Sequence, residues 1–173
     1  MMSQQVSTIG LSIGQEVELK GWLYNFRSSG KIYFLQFRDG SGRVQVVYSK
    51  ADLPDDQWEV LQTLRLESSV IVCGIVKEDR RAPSGFELEG RGITAVQIAP
   101  DDYPIGKKEH GPDFLLDKRH LWLRSESQWA IQRVRHTVVY STYAYFLENG
   151  FTKFDAPILT PNACEGTTEL FEM

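Results

Sequence analysis

Between Glu18 and Tyr48 the chain reads ELKGWLYNFRSSGKIYFLQFRDGSGRVQVVY. Aromatic and β-branched residues fill this stretch, alternating with polar ones, and Lys20, Arg27, Lys31, Arg38 and Arg43 punctuate it. Ring planes stack nucleobases and cations hold phosphates, so the chemistry on offer is that of a single-stranded nucleic-acid reader. An ordinary solvated sheet face carries the same residue types, and composition leaves the two readings even.

Such a face needs strands to hold it. Two turn signals, Arg27-Ser28-Ser29-Gly30-Lys31 and Arg38-Asp39-Gly40-Ser41-Gly42, divide the stretch into three strands. The first alternates through Val17–Leu23, the second spans Ile32–Asp39 and the third Arg43–Tyr48. Gly21 and Gly30 interrupt the pattern and suggest a bulge or a sharp coil. Asp39-Gly40-Ser41-Gly42 reads as a hairpin turn of residues that tolerate positive φ. Residues 55–66 fit a short helix, with Trp58, Leu61 and Leu64 three apart and acidic residues at its start, where they suit the helix dipole. Ser69–Val76 and Phe86–Ile98 read as a fourth and a fifth strand, and residues 1–15 as a loose lead-in. Three strands, a helix and two strands is the order of an OB-fold, a five-stranded Greek-key barrel that commonly binds oligonucleotides.

The 173 residues allow one large or two small domains, and 42% hydrophobic with 12% aromatic content allows a true core. No apolar run reaches the about 18–20 residues of a membrane span, and the first residues lack the pattern of a secretion signal. Two cysteines and three histidines, widely scattered, give no metal spacing. A reduced cytoplasmic protein is the expectation. The net charge of −4 runs against nucleic-acid binding, but it is unevenly spread. Residues 20–50 hold six Lys/Arg and one Asp, whereas residues 51–102 hold five Lys/Arg and eleven Asp/Glu. A basic face on an acidic chain still presents an electrostatic footprint.

Beyond residue 99 the character changes. Pro100, Pro104, Gly106, Gly111 and Pro112 mark a linker or hinge, and KKEHGPDFLLDKRHLWLRS (107–125) reads as a segment packed between two domains. Ser125-Glu126-Ser127-Gln128 carries a capping-box pattern at the start of a helix to about Glu148, with Ile131, Val134, Val138 and Tyr145 on one stripe. Asn149-Gly150 supplies its stop. Phe151–Pro157 reads as a strand that its proline confines to an edge or an interface. One long helix and one strand cannot close a core, so the chain reads as the front of something longer, its second unit exposing apolar surface.

Three stretches carry a family resemblance: GWLYNFRSSGKIYFLQFRDGSGRVQVV (21–47), YPIGKKEHGPDFLLDKRHLWLRS (103–125) and GFTKFDAPILTPNACEGTTELF (150–171). Together they resemble the N-terminal half of the class IIb aminoacyl-tRNA synthetases, nearest to their asparaginyl branch. Residues 21–47 resemble the anticodon-binding OB domain of that class. Residues 103–125 are similar to the asparaginyl hinge and entry to the catalytic domain, where the aspartyl and lysyl enzymes usually read differently. Residues 150–171 resemble class II motif 1. The implied fold is a mainly β OB barrel over residues 1–100, a hinge over 101–124, and over 125–173 the opening helix and strand of an incomplete α+β catalytic domain.

The resemblance also implies residue roles. Phe34 matches the aromatic that stacks on the middle anticodon base. Gln45 matches the glutamine that reads that base, a uridine, because an amide offers one donor and one acceptor to its Watson–Crick edge. Arg27 matches the arginine beside them, holding base or phosphate. Taken singly, these three read as a core aromatic, a solvated strand residue and a surface charge; their joint spacing favours the functional reading. Pro157 matches the motif 1 proline of the dimer interface. Glu165 matches the glutamate of a mobile loop that receives the substrate ammonium, and Cys164 beside it reads as inert. Lys107, Lys108 and His110 read as a solvated loop, with tRNA or the inner hinge as the other possibility. Arg119, His120 and Arg124 read as packing residues.

The implied reaction is attachment of asparagine to its tRNA (anticodon GUU), using ATP and Mg²⁺ in a homodimeric longer enzyme. The arginines of motifs 2 and 3 would lie beyond Met173, so no catalytic residue, cofactor or metal ligand is assigned within the chain and activity of the chain alone is not expected. Two other readings stay open: a non-catalytic OB-fold RNA-binding protein, and an aspartate–tRNA ligase, whose tRNA shares the middle anticodon base.

Overall fold

Alternation along the strands decides which side chains meet. In Ile32–Arg38, residues Tyr33, Leu35 and Phe37 are buried, while Ile32, Phe34, Gln36 and Arg38 face outward. Arg43–Ser49 repeats this, with Val44, Val46 and Tyr48 buried. A computed structural model describes residues 4–82, 84–104 and 109–157. Among these, five strands close into a barrel: β1 (Glu16–Ser29), β2 (Ile32–Arg38), β3 (Arg43–Ser49), β4 (Ser69–Glu78) and β5 (Phe86–Gln97). Their order is β1-β2-β3-β5-β4, with β4 pairing back to β1. Only the β3–β5 pair is parallel. Helix α1 (Asp55–Thr63) sits between β3 and β4, so the OB-fold order expected above is the order found. Trp58, Leu61 and Leu64 are all buried in the core, worth roughly 1.5–3 kcal/mol for each large apolar side chain removed from water.

Several local expectations are corrected. The lead-in is not loose: Val6–Ser12 forms a 3₁₀ helix that buries Val6 and Ile9. The Val6 amide donates to Asp39 Oδ2 at 2.8 Å. The same aspartate builds the β2–β3 turn, which does not use positive φ at Gly40 or Gly42. Asp39 Oδ1 accepts from the Ser41 amide and hydroxyl (both 2.7 Å) and the Gly42 amide (2.9 Å), a side-chain-made turn. The first strand runs six residues beyond Leu23, to Ser29. Its bulge falls between Leu23 and Asn25, not at Gly21. Gly21 is required for a different reason: a Cβ there would stand 2.3 Å from the Arg38 carbonyl oxygen and 2.5 Å from the Phe37 ring.

The chain divides into two compact units, Met1–Lys107 and Lys108–Met173. In the second, the stretch read as a hinge carries two short helices, α2 (Pro112–Asp117) and α3 (Arg119–Trp122). Helix α4 spans Glu126–Glu148, as the periodicity predicts. Its capping box is not formed, because the Ser125 side chain makes no cap hydrogen bond. Its C-terminus is closed: Gly150 N–H donates to the Leu147 carbonyl and Phe151 N–H to that of Phe146. Gly150 adopts φ +83, and the Phe146 and Phe151 rings meet edge-on at 5.3 Å, completing a Schellman motif. Phe151–Pro157 is not a strand. A strand needs a neighbour to take its backbone hydrogen bonds, and the described residues of this unit contain no other strand.

Candidate nucleic-acid interface

Residues paired across an antiparallel ladder point to the same face, so register decides what can act together. Phe34 pairs with Arg27 on one side and Val47 on the other. Gln36 pairs with Asn25 and with Gln45, and Gln45 pairs onward with Glu87 of β5. Two adjacent rows therefore bring Arg27, Phe34 and Gln45 onto one outer face. The Arg27 guanidinium carbon lies 4.1 Å from the centre of the Phe34 ring. That cation–π contact holds a flexible cation against an aromatic plane. The three residues line an open groove of ≈ 630 Å³, with Glu87 on its floor and the β4–β5 turn at its rim.

Arg27 reaches this face only because of the bulge. Upstream of it, odd-numbered residues point inward: Val17, Leu19 and Leu23 are buried. Leu23 pairs with the buried Phe37, but Asn25 pairs with the outward Gln36. The extra residue, Tyr24, reverses the alternation, so odd-numbered Arg27 joins Phe34 outside while Phe26 stacks on Tyr33 at 5.5 Å. Without the bulge, Arg27 would point at the core.

The sequence reading missed Glu87, whose carboxylate lies 3.4 Å from the Gln45 amide nitrogen. It also missed Asp79 and Arg81 at the rim. All three belong to the acidic stretch set apart from the basic face. The β3–β5 pairing sets Glu87 beside Gln45 across 42 residues, and only the strand order of the closed barrel signals it. Arg81 donates to Asp79 from its backbone amide (2.9 Å) and its guanidinium (3.1 and 3.2 Å). Those hydrogen bonds hold the Asp79 carboxyl below the usual carboxylate range.

Further along the same outer face, Arg38 and Arg43 pair across β2 and β3. Their guanidinium carbons lie 5.5 and 4.8 Å from the centre of the Tyr24 ring. Arg38 is also bound to Glu67 at 2.6 Å, with both side chains largely buried.

The other candidate residues lie in the second unit or outside the described residues. Pro157 is exposed. His110 stacks on Phe114 at 4.8 Å. Arg119 donates to Gln128 Oε1 at 2.9 Å and lies over the Trp122 ring at 4.7 Å. His120 is exposed and Arg124 half-buried. Lys107, Lys108, Cys164 and Glu165 lie outside the described residues. Among the described residues no three His, Cys, Asp or Glu side chains gather where they could hold a metal ion. No described helix is long and apolar enough to cross a membrane.

A barrel with this face, joined to a helical unit, meets its counterparts among known proteins. Residues 17–96 match the family described as OB-fold nucleic acid binding domain, and residues 111–173 match tRNA synthetases class II (D, K and N). The chain therefore carries an anticodon-binding OB-fold followed by a class II tRNA synthetase domain of that group. Within it, the similarity runs to the asparagine enzymes. The chain is 49% identical over 168 residues to asparagine–tRNA ligase of Thermus thermophilus, covering 97% of this chain and 38% of that one. It is 46% identical over 166 residues to asparagine–tRNA ligase of Sorangium cellulosum, covering 96% and 37%. The structure superposes, with TM-score 0.87 and 34% identity, on asparaginyl-tRNA synthetase from Pyrococcus horikoshii complexed with asparaginyl-adenylate, covering 96% of this chain and 39% of that one. The chain thus spans under two-fifths of the length of these relatives.

Proposed function

We propose that the chain is the N-terminal portion of an asparagine–tRNA ligase and that its barrel recognises the anticodon of the asparagine tRNA. One observation carries this: Arg27 lies over the Phe34 ring, one register row from Gln45, on an open outer face. Phe34 stacks the middle base of a GUU anticodon. Gln45 reads the edge of that uridine with its amide, held in place by Glu87. Arg27 braces the Phe34 ring and offers its charge to the neighbouring phosphate. The longer enzyme joins asparagine to the tRNA with ATP and Mg²⁺, in the cytoplasm and as a homodimer. In that enzyme Pro157 belongs to the dimer interface and Glu165 receives the substrate ammonium. Residues 1–100 then serve as the anticodon domain, 101–124 as the hinge and 125–173 as the opening of the catalytic domain.

The test is binding of the chain to a stem-loop RNA with GUU in its loop, against the same RNA with GCU, at one fixed salt concentration, since phosphate contacts make affinity salt-dependent. The GUU loop binds more tightly. Phe34→Ala costs about 1–3 kcal/mol of binding, and Gln45→Ala abolishes the preference between loops. Equal affinity of the unaltered chain for both loops would sink the anticodon reading.

A further inference from the structure

The groove around Phe34 and Gln45 does not end the outer face of the barrel. Arg43 precedes Gln45 by two residues on β3, which places it on the same side of the sheet, roughly 7 Å away at the usual strand rise. That is the scale of one extended nucleotide step. Arg43 also lines the groove itself. Its guanidinium lies against the Tyr24 ring at 4.8 Å, and Tyr24 is the extra residue of the β1 bulge, the residue that a bulge re-aims. On the other side of that cluster, Arg38 is committed to the largely buried pair with Glu67. Both arginines lie against the Tyr24 ring, and Arg43 is exposed. A guanidinium held against an aromatic ring meets a phosphate in fork geometry at less ordering cost than a loose side chain.

We infer that Arg43, mounted on Tyr24, is a second RNA contact that holds the backbone phosphate of the nucleotide next to the one stacked on Phe34. The inference rests on the anticodon reading above and extends it. One bulge residue then serves both ends of the face: it turns Arg27 outward toward Phe34, and it supplies the ring that seats Arg43. Because a phosphate carries no base identity, Arg43 adds affinity and register without altering base choice.

The two claims separate in one set of titrations with the full 173-residue chain and the GUU and GCU stem-loops, repeated across a salt series. Arg43→Gln weakens both loops equally, roughly tenfold at low salt, as expected for one charge-assisted hydrogen-bonding contact. It lowers the slope of log affinity against log salt by about 0.7, the share of one single-strand phosphate. The preference for GUU over GCU is unchanged. Arg43→Lys keeps most of the slope but loses part of the affinity, because an ammonium has no planar fork to lay on the ring. Tyr24→Leu gives an intermediate loss with the slope retained. Circular dichroism shows Arg43→Gln folded at the titration temperature, which separates a lost contact from a damaged barrel. If Arg43→Gln binds both loops with wild-type affinity and slope while GUU is still preferred, the phosphate contact is wrong and the anticodon reading stands. If Arg43→Gln alters the preference and leaves the slope alone, Arg43 reads a base and this assignment is overturned. If the unaltered chain shows no preference between the loops, the anticodon reading fails and the position assigned to Arg43 fails with it.

Discussion

The barrel and helix α4 draw on similar apolar residues and use them in opposite ways. In the barrel, Leu19, Leu23, Leu35, Phe37, Val46 and Tyr48 have essentially no exposed surface. Along the 23 residues of α4 only Gln128 is buried, and Val134 and Val138 remain 65% and 61% exposed. The difference is one of closure. A sheet that curls until its first strand meets its fourth satisfies its own backbone and encloses its own core. A single helix satisfies its backbone but cannot cover its own apolar side, which must find a partner surface. The first region is thus self-sufficient in this chain, and the second is an element built to be packed against.

That contrast can be broken by substitution. The largest effect belongs to the barrel interior. Phe37→Ala, at a position with no exposed surface, costs about 3–5 kcal/mol in chemical denaturation. Val138→Ala on α4 changes the same measurement by under about 0.5 kcal/mol, because the side chain is already in water. Comparable losses at the two sites would mean that α4 is packed in solution and the contrast false. A middling effect is expected at the β2–β3 turn. Asp39→Ala removes the acceptor of four hydrogen bonds, including the one that pins the 3₁₀ helix, and costs about 1–3 kcal/mol. Asp39→Asn, which keeps one acceptor oxygen for the turn, recovers part of that loss. A wild-type melting temperature for Asp39→Ala would show that the turn forms from Gly40 and Gly42 alone.

The smallest effect lies at the groove rim. The Asp79 carboxyl is held below its ordinary range by Arg81, so folding favours its charged form. Its contribution is therefore complete above the ordinary carboxylate range and disappears as pH falls through the lowered value. Melting temperatures of the wild type and Asp79→Asn should differ slightly at neutral pH and converge in acid. A gap that widens on acidification would reverse the sign and refute the pairing.

Much of this protein is written locally. Strict alternation identified β2 and β3, three-residue spacing placed Trp58 and Leu61 on the buried side of α1, and the order of elements pointed to an OB barrel from the residues alone. Where local patterns needed a distant partner, the reading failed. Ser125 and Gln128 have the residue types of a capping box, yet the Gln128 side chain accepts from Arg119. Phe151–Pro157 has strand-forming residues and, among the described residues, no strand pairs with it. The lead-in has few turn or helix signals and is ordered by Asp39, more than thirty residues away.

The candidate site divides along the same line. Residue types and spacing by themselves put Phe34 and Gln45 on neighbouring strands, with Arg27 in the turn signal before them, because strand period and hairpin length are local properties; the family resemblance singled out the three together. Only the tertiary structure decided which of them share a face and what borders them. A bulge centred on Tyr24, a residue with no glycine signal, reverses the parity of β1 and turns Arg27 outward. The parallel crossing of β5 beside β3 sets Glu87 against Gln45 from 42 residues away. Both depend on how the sheet curves to close, and closure is a property of all five strands at once.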